Sequence, residues 1–357
     1  MEKGYLILET GEVFPGFLTG NMEETTGEVV FNTSMTGYQE ITSDPSYAGQ
    51  IVVFCYPLIG NYGVNEEEFE SGKIQVKGIV TGELCDGPSH YKAEASLSEI
   101  MEKAGVSGLF GVDTRELVRT IRKHGTIKGI ITSSINKEVP YEEDPLWVEK
   151  VSTKEHVYFH QEGPHILLMD FGFKKSILDY LLKHNCKVTV VPFNSTYEEL
   201  SAMNPNGIVF SNGPGDPMAL AHLLPEIKRM SERYPSLGIC LGHQLLALAY
   251  GARTNKLPFG HRGGNHPVKD MVSGKVLMTS QNHGYVVDIE SIDNEIFTVS
   301  FMNINDGSVE GLTHKTLPIH TVQFHPEAHP GPQDAEYLFD QFIQKVKLES
   351  GVLSNAI

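Results

Sequence analysis

From His165 to Gly251 the chain alternates short apolar runs with amphipathic stretches, and this alternation constrains its fold more than any other feature. HILLMDFG, KVTVVPF, GIVFSNGPGDP and the SLGIC run read as buried strands. Lys174–His184, Tyr197–Met203 and Leu223–Tyr234 read as the helices between them, the first with Ile177, Leu178, Leu181 and Leu182 on one face. Strands and helices alternating through short connections imply parallel strands with right-handed crossovers. Sheets of this kind bind ligands at the carboxyl ends of their strands. The SNGPGDP loop and the turn after Ile239 both fall at such ends, hence on one edge. After Gly251 the pattern becomes turn-rich β segments, then a closing helix at Asp334–Val346 with Tyr337, Leu338, Phe339, Phe342 and Ile343 as its apolar stripe.

Residues 1 to 150 follow a different rule. Short β-like runs (GYLILE, GEVVFNT, GQIVVFCYP, GIVTGEL) are separated by turn signals such as Asp44-Pro45 and Gly60-Asn61. Helices are expected at Ser96–Ala104 and Thr114–His124, the second capped by Asp113 or Thr114. Between Val139 and Pro164 the chain is acidic, carries Pro140, Pro145 and Pro164, and has no sustained period, although Trp147 and the Val157–Phe159 run suggest packing. The expected class is therefore α/β: a C-terminal doubly wound, mostly parallel sheet with a separate N-terminal β-rich α+β domain. The expected boundaries are 1–150, a linker at 151–163, and 164–357.

The totals narrow the function classes. A length of 357 residues favours two domains. No apolar run approaches a membrane span, and MEKGYLILETGEVFPG lacks the features of a signal peptide, so the expected location is the cytoplasm. A formal net charge of −17 argues against nucleic acid as the main partner, because phosphate binding needs a basic face. The four cysteines form no C-x-x-C pair, which argues against a zinc knuckle or disulfide framework. Cys55 and Cys186 sit in apolar runs and read as packing residues, and Cys85 is left open.

Cys240 is different. Gly238-Ile239-Cys240-Leu241-Gly242 has the pattern of a nucleophile elbow with a thiol in place of the hydroxyl. The glycines let a sharp strand-to-helix turn close without collision. A thiol at a helix N-terminus also meets the positive end of the helix dipole, which favours the reactive thiolate. The bland alternative is a small buried cysteine in a glycine-rich turn.

A cysteine nucleophile needs a base, and the base benefits from a group that orients it. TVQFHPEAH offers His325 and Glu327, which point to the same side if the backbone there is extended. Among the 15 histidines, His243 fits a helix start, His261 and His266 sit in the turn-rich GHRGGNHP, and His283 lies in QNHG. A metal site from His283, His325 and His329 lacks any familiar ligand spacing, and no metal is expected. Donors for a developing oxyanion would be the N–H of Leu241 and that of Gly213. No phosphate-binding G-x-x-x-x-G-K-[ST] loop occurs, so ATP, if consumed, would be bound by another chain.

GICLGHQ, SNGPGDP and QFHPEA, in this order, resemble the class I, triad-type glutamine amidotransferase domain from about Pro164 to the C-terminus. GEVVFNTSMTGYQEITSDPSYAGQIVVFCYPLIGNYGVN looks like the N-terminal domain of the carbamoyl-phosphate synthetase small-subunit family. The resemblance implies that Cys240 attacks the glutamine amide to form a thioester, that His325 moves the protons, and that Glu327 orients His325. Carried over motif by motif, it implies glutamine contacts at Ser46, Gly213, Gly215, Leu241, Gln244, Asn282, Gly284 and Tyr285. Ser46 belongs to the first domain, and aromatic variation at the Tyr285 position in the family suggests a backbone contact there. The resemblance further implies a large-subunit partner in a heterodimer or higher heteromer. That partner would use ATP and magnesium to make carbamoyl phosphate from bicarbonate and ammonia, for arginine or pyrimidine synthesis. No cofactor is expected on this chain, and neither nucleic acid nor membrane as partner. The alternatives are a free-standing cysteine amidohydrolase of the same fold and a regulatory subunit with a dead site.

Overall fold

The computed structural model describes residues 2–140 and 146–349. Pro145 and the acidic residues before it, expected in the boundary, lie outside the described residues, as do Met1 and 350–357 at the ends of the expected domains. The chain divides into two units, Met1–Pro145 with Pro258–Gly263, and Leu146–Leu257 with Gly264–Ile357.

In the first unit β1 (Lys3–Leu8), β2 (Val13–Gly20), β3 (Thr25–Asn32) and α1 (Tyr38–Ser43) come first. They are followed by β4 (Gln50–Phe54), β5 (Leu58–Ile59), β6 (Gly78–Val80), β7 (Glu83–Leu84) and α2 (Leu97–Ala104). The unit continues with β8 (Ser107–Phe110), α3 (Thr114–His124) and β9 (Ile127–Thr132). Seven strands close into a barrel in the order β1-β2-β8-β6-β4-β3-β9, while β5 and β7 pair separately. The period-2 pattern shows why both barrel faces are covered. Val29, Phe31, Ile51 and Val53 pack in one cluster with Leu117 and Ile121 of α3. Their neighbours Val30, Val52 and Phe54 pack in another with Leu97 and Met101 of α2 and Ile41 of α1. Ser96 caps α2 through a complete capping box, and Asp113, one of the two expected residues, caps α3.

The second unit runs α4 (Trp147–Val151), β10 (Val157–Phe159), β11 (His165–Asp170), α5 (Lys175–Lys183) and β12 (Lys187–Pro192). It continues α6 (Tyr197–Ala202), β13 (Gly207–Phe210), α7 (Leu224–Arg233), β14 (Ser236–Ile239) and α8 (Leu241–Ala249). Then come β15 (Thr254–Asp270), whose stretch Pro258–Gly263 belongs to the first unit, β16 (Val276–Val287), β17 (Phe297–Asn303), β18 (Val309–His314), β19 (Ile319–Val322) and α9 (Tyr337–Glu349). The sheet order is β10-β12-β11-β13-β14-β19-β18-β17-β15-β16. Its centre, β12 through β19, is parallel, and antiparallel strands extend it on both sides.

The sheet is wound on both faces, and β11 shows how. Ile166 and Leu168 pack in a cluster with Ile177 of α5 and Phe339 of α9. Leu167 and Met169 pack in the other, with Ile227 of α7 and Leu245 of α8. A strand buried on both sides is apolar throughout, which is why HILLM carries no alternation. Residues 151–163 differ from the linker reading. β10 pairs antiparallel with β12 as an edge strand, Val157↔Val190, and the Thr153 N–H donates to Asp170 Oδ2 at 2.7 Å. Exposed Val157 and Tyr158 disguise it, because an edge strand needs no apolar alternation.

Candidate active site

Two parallel strands side by side, β14 and β19, end at the same edge, with Ile239 opposite Val322. Cys240 follows the first, and its N–H donates to Val322 O at 2.8 Å. The turn into α8 is tight. A Cβ on Gly242 would lie 2.1 Å from Phe210 O, and one on Gly238 would lie 2.7 Å from Leu246 Cδ1. Neither position tolerates a side chain, so the spacing of the pentad is a packing requirement. Cys240 itself has φ 53° and ψ −103°, a backbone conformation that a Cβ-bearing residue rarely adopts. The elbow is therefore present with its usual strain, and the helix begins at Leu241, two residues earlier than His243 suggests. Leu241 is the first helical residue, so its N–H has no partner further back in α8.

His325 follows β19, and its N–H donates to Ser280 O of β16 at 2.9 Å. The expected extended backbone between His325 and Glu327 is replaced by a turn, closed by the Ala328 N–H donating to His325 O at 3.1 Å. Pro326 suits a turn, and the turn brings the side chains together all the same. His325 Nδ1 and Glu327 Oε1 are 2.6 Å apart. Glu327 also faces Lys174 Nζ at 3.2 Å, and Lys174 Nζ donates to the Ala328 carbonyl. All three side chains are buried, at 3% exposure or less. An isolated charge there would be very costly, so the ions survive as a connected row.

The row sets the protonation states. Burial opposes ionisation of Glu327, but Lys174 and then His325 outweigh it and hold the carboxyl below the usual carboxylate range. Burial likewise opposes a charged His325, but Glu327 and the nearby Cys240 sulfur overcome it and raise the imidazole. His325 Nε2 makes no hydrogen bond of good geometry within the described residues. The imidazole is thus pinned at Nδ1 with Nε2 next to the sulfur, and its environment favours the charged ring that results when Nε2 takes the thiol proton.

Besides its place in an apolar cluster, the Cys240 sulfur meets two polar groups. Its Sγ lies 3.6 Å from Asn282 O and 3.6 Å from Gln323 Nε2. Gln323 Oε1 accepts from Gln244 Nε2 at 3.0 Å, and the same Nε2 donates to Tyr285 O at 2.8 Å. The structure therefore gathers Cys240, His325, Glu327, Leu241, Gln244, Asn282 and Tyr285. Gly284 lies on β16 between His283 and Tyr285. Gly213 packs so closely that a Cβ would meet Phe171 O at 2.2 Å and Leu241 Cδ2 at 2.9 Å, while Gly215 turns the loop with φ 93°. Ser46 is in the first unit, in a single 3-10 turn (Pro45–Tyr47), where its N–H donates to Asp44 Oδ1 at 2.9 Å.

Lys174 and Gln323 are absent from the sequence-based site. Lys174 reads as the start of α5 and Gln323 as the end of β19. The one available signal for Lys174 is a lysine in the loop after an apolar strand, four residues beyond Asp170, which is common on surfaces. His243 is another buried histidine, on the first turn of α8. It bonds Thr321 Oγ1 at 2.7 Å, and burial alone pushes it down to about 3.

Comparisons with known proteins agree in coverage. Residues 167–345 match the family model described as glutamine amidotransferase class-I, and residues 6–131 match carbamoyl-phosphate synthase small chain, CPSase domain. The carbamoyl phosphate synthase arginine-specific small chain of Halalkalibacterium halodurans is 52% identical over 349 residues, covering 96% of this chain and 97% of that one. The protein of the same description from Bacillus subtilis is 53% identical over 345 residues, with the same two coverages. A carbamoyl phosphate synthase small chain from Bacillus caldolyticus is 49% identical over 352 residues, covering 97% of each chain.

Proposed function

The chain belongs to the carbamoyl phosphate synthase small-chain family, and from that premise we propose that Cys240, His325 and Glu327 hydrolyse the side-chain amide of glutamine. The observation that carries the assignment is the buried row Lys174–Glu327–His325 ending beside the Cys240 sulfur. In the first step the sulfur, its proton taken by His325 Nε2, attacks the amide carbon. The tetrahedral oxyanion is met by the Leu241 N–H and, from the facing loop, that of Gly213. His325 returns its proton to the departing nitrogen, and ammonia leaves a thioester. His325 then takes a proton from water, hydroxide adds to the thioester carbon, and glutamate is released with the thiol restored. Glu327 holds Nδ1 throughout, fixing the ring and stabilising its charged form. Gly215, Gln244, Asn282, Gly284 and Tyr285, with Ser46, are proposed to hold the glutamine.

Ammonia freed into neutral water would mostly become ammonium, which has no lone pair for attack. The small chain therefore works with a large chain, which receives the ammonia under cover and combines it with bicarbonate at the expense of ATP. In this reading ATP and magnesium belong to that partner, in a heterodimer or higher heteromer of the cytoplasm. Among the described residues no helix is long and apolar enough to cross a membrane. The arginine-specific description of two relatives supports a product used for arginine synthesis. A free-standing amidohydrolase is not favoured, because the match to the small-chain domain covers the first unit as well.

Cys240→Ser is the direct test, in the complex of both chains. Glutamine-dependent carbamoyl phosphate synthesis is expected to fall at least ~10³-fold while ammonia-dependent synthesis stays at the parent rate. A serine variant that still used glutamine at the parent rate would exclude Cys240 as the nucleophile.

A further inference from the structure

The Cys240 sulfur lies among polar groups of fixed direction, and one of them has no part in the mechanism above. Gln323 is fully buried, one residue beyond β19, with its own backbone N–H held by Glu310 O at 2.9 Å. Its carboxamide spans Gln244 Nε2, at 3.0 Å, and Cys240 Sγ, at 3.6 Å. A primary amide has a donor end and an acceptor end of nearly equal shape, so which end meets the sulfur has to be settled by its neighbours.

The neighbours do settle it. The row begins at the Tyr285 carbonyl, which can only accept, 2.8 Å from the Gln244 amide. Gln244 must therefore present its NH₂ there, and the same NH₂ reaches Gln323. Gln323 must answer with its oxygen, which turns its own NH₂ onto the sulfur. Reversing Gln323 alone would set two NH₂ groups against each other. Reversing both would press the Gln244 oxygen against the Tyr285 carbonyl. With both carboxamides buried, each mismatch leaves polar groups unsatisfied. A backbone carbonyl of β16 thereby fixes the direction of every bond as far as the nucleophile.

The two contacts of the sulfur then behave oppositely during the reaction. The thiol S–H has Asn282 O as its acceptor, 3.6 Å away. Once the proton has moved to His325 Nε2, that carbonyl faces a lone pair and the attraction is gone. A donated N–H from Gln323 strengthens at the same moment, because bonds to an ionised acceptor are about twice as strong.

We propose that Gln323 is a positioning residue of glutamine hydrolysis: its N–H, aimed through Gln244 by the Tyr285 carbonyl, holds the Cys240 sulfur in attack position after deprotonation. This rests on Cys240 being the nucleophile. It also gives Gln244 a task beyond touching glutamine, that of keeping the amide of Gln323 the right way round.

The test uses the complex of both chains and compares Gln323→Leu, which has neither donor nor acceptor, with Gln323→Glu, which has the same shape. Gln323→Leu is expected to lower kcat for glutamine hydrolysis about 10- to 100-fold, the loss of one hydrogen bond to a charged group, with KM within about threefold. Ammonia-dependent synthesis at the parent rate shows that the variants fold and assemble. The carboxyl of Gln323→Glu is a donor only while protonated. Its kcat should therefore rise toward acid pH relative to Gln323→Leu, a response that a space-filling role would not produce. A Gln323→Leu kcat within twofold of the parent, a loss confined to KM, or two variants that track each other from acid to alkaline pH would each overturn the proposal. Cys240→Ala in the same assay separates the two possible failures. If it is dead while Gln323→Leu is normal, the role of Gln323 falls alone; if it is active, the nucleophile assignment falls first.

Discussion

The end of β19 and the first turn of α8 each bury an imidazole completely, and the two rings are driven in opposite directions. His243 has a threonine hydroxyl for company and no charge, so burial alone acts and the ring is pushed down to about 3. His325 is buried as deeply, but Glu327 and Cys240 flank it and the ring is raised to about 10. Burial therefore does not decide what a histidine is for; the partners buried with it do. His243 is a packed neutral ring beneath the elbow, and His325 is a proton carrier.

The sharpest way to break this contrast is to exchange the rings' consequences. His325→Asn should lower glutamine hydrolysis by about 10³-fold or more, measured as ammonia release by the complex, because an amide cannot take and return the proton. If the loss were instead comparable to that of His243→Asn, the distinction between the two rings would collapse. Glu327→Gln should have a smaller effect, roughly 10- to 100-fold on kcat, since a neutral amide can still orient Nδ1 but gives up one charged hydrogen bond. In that variant the ring should also lose the part of its upward displacement that Glu327 supplies, moving the alkaline limb of the rate profile to lower pH.

The smallest effect is read in stability. His243 has a folded pKa below its unfolded value, so the unfolded chain binds more protons and stability is lost as pH falls from about 6.5 toward 3. His325 has a folded pKa above its unfolded value, so its contribution is full below about 6.5 and is lost as pH rises through its folded value. Between about pH 6 and pH 5, where the His325 contribution is already near full, denaturant midpoints should therefore fall toward acid, and less steeply in His243→Asn. An unchanged acid slope would mean that His243 is not the group being protonated.

Much of the chemistry was legible from local pattern. The pentad around Cys240 is readable because the packing there excludes a Cβ at two fixed positions, Gly238 and Gly242. His325 and Glu327 are readable because two residues suffice to join them, although the joining is a turn where an extended segment was expected. Lys174 and Gln323 were not readable. Each becomes a neighbour of the site only when parallel strands align, β11 beside β13 and β14 beside β19. No local rule connects Lys174 with Glu327 across 153 positions. The edge strand β10 escaped for a related reason: one exposed side relaxes the pattern by which strands are recognised.

The positive φ of Cys240 has a consequence of its own. A conformation that costs on the order of 1–3 kcal/mol is one that glycine occupies without penalty. The nucleophile therefore sits at the place where losing it would make the chain sturdier. Selection for robustness and selection for turnover pull against each other at a single α-carbon, and a lineage released from hydrolysing glutamine would be expected to replace that cysteine early.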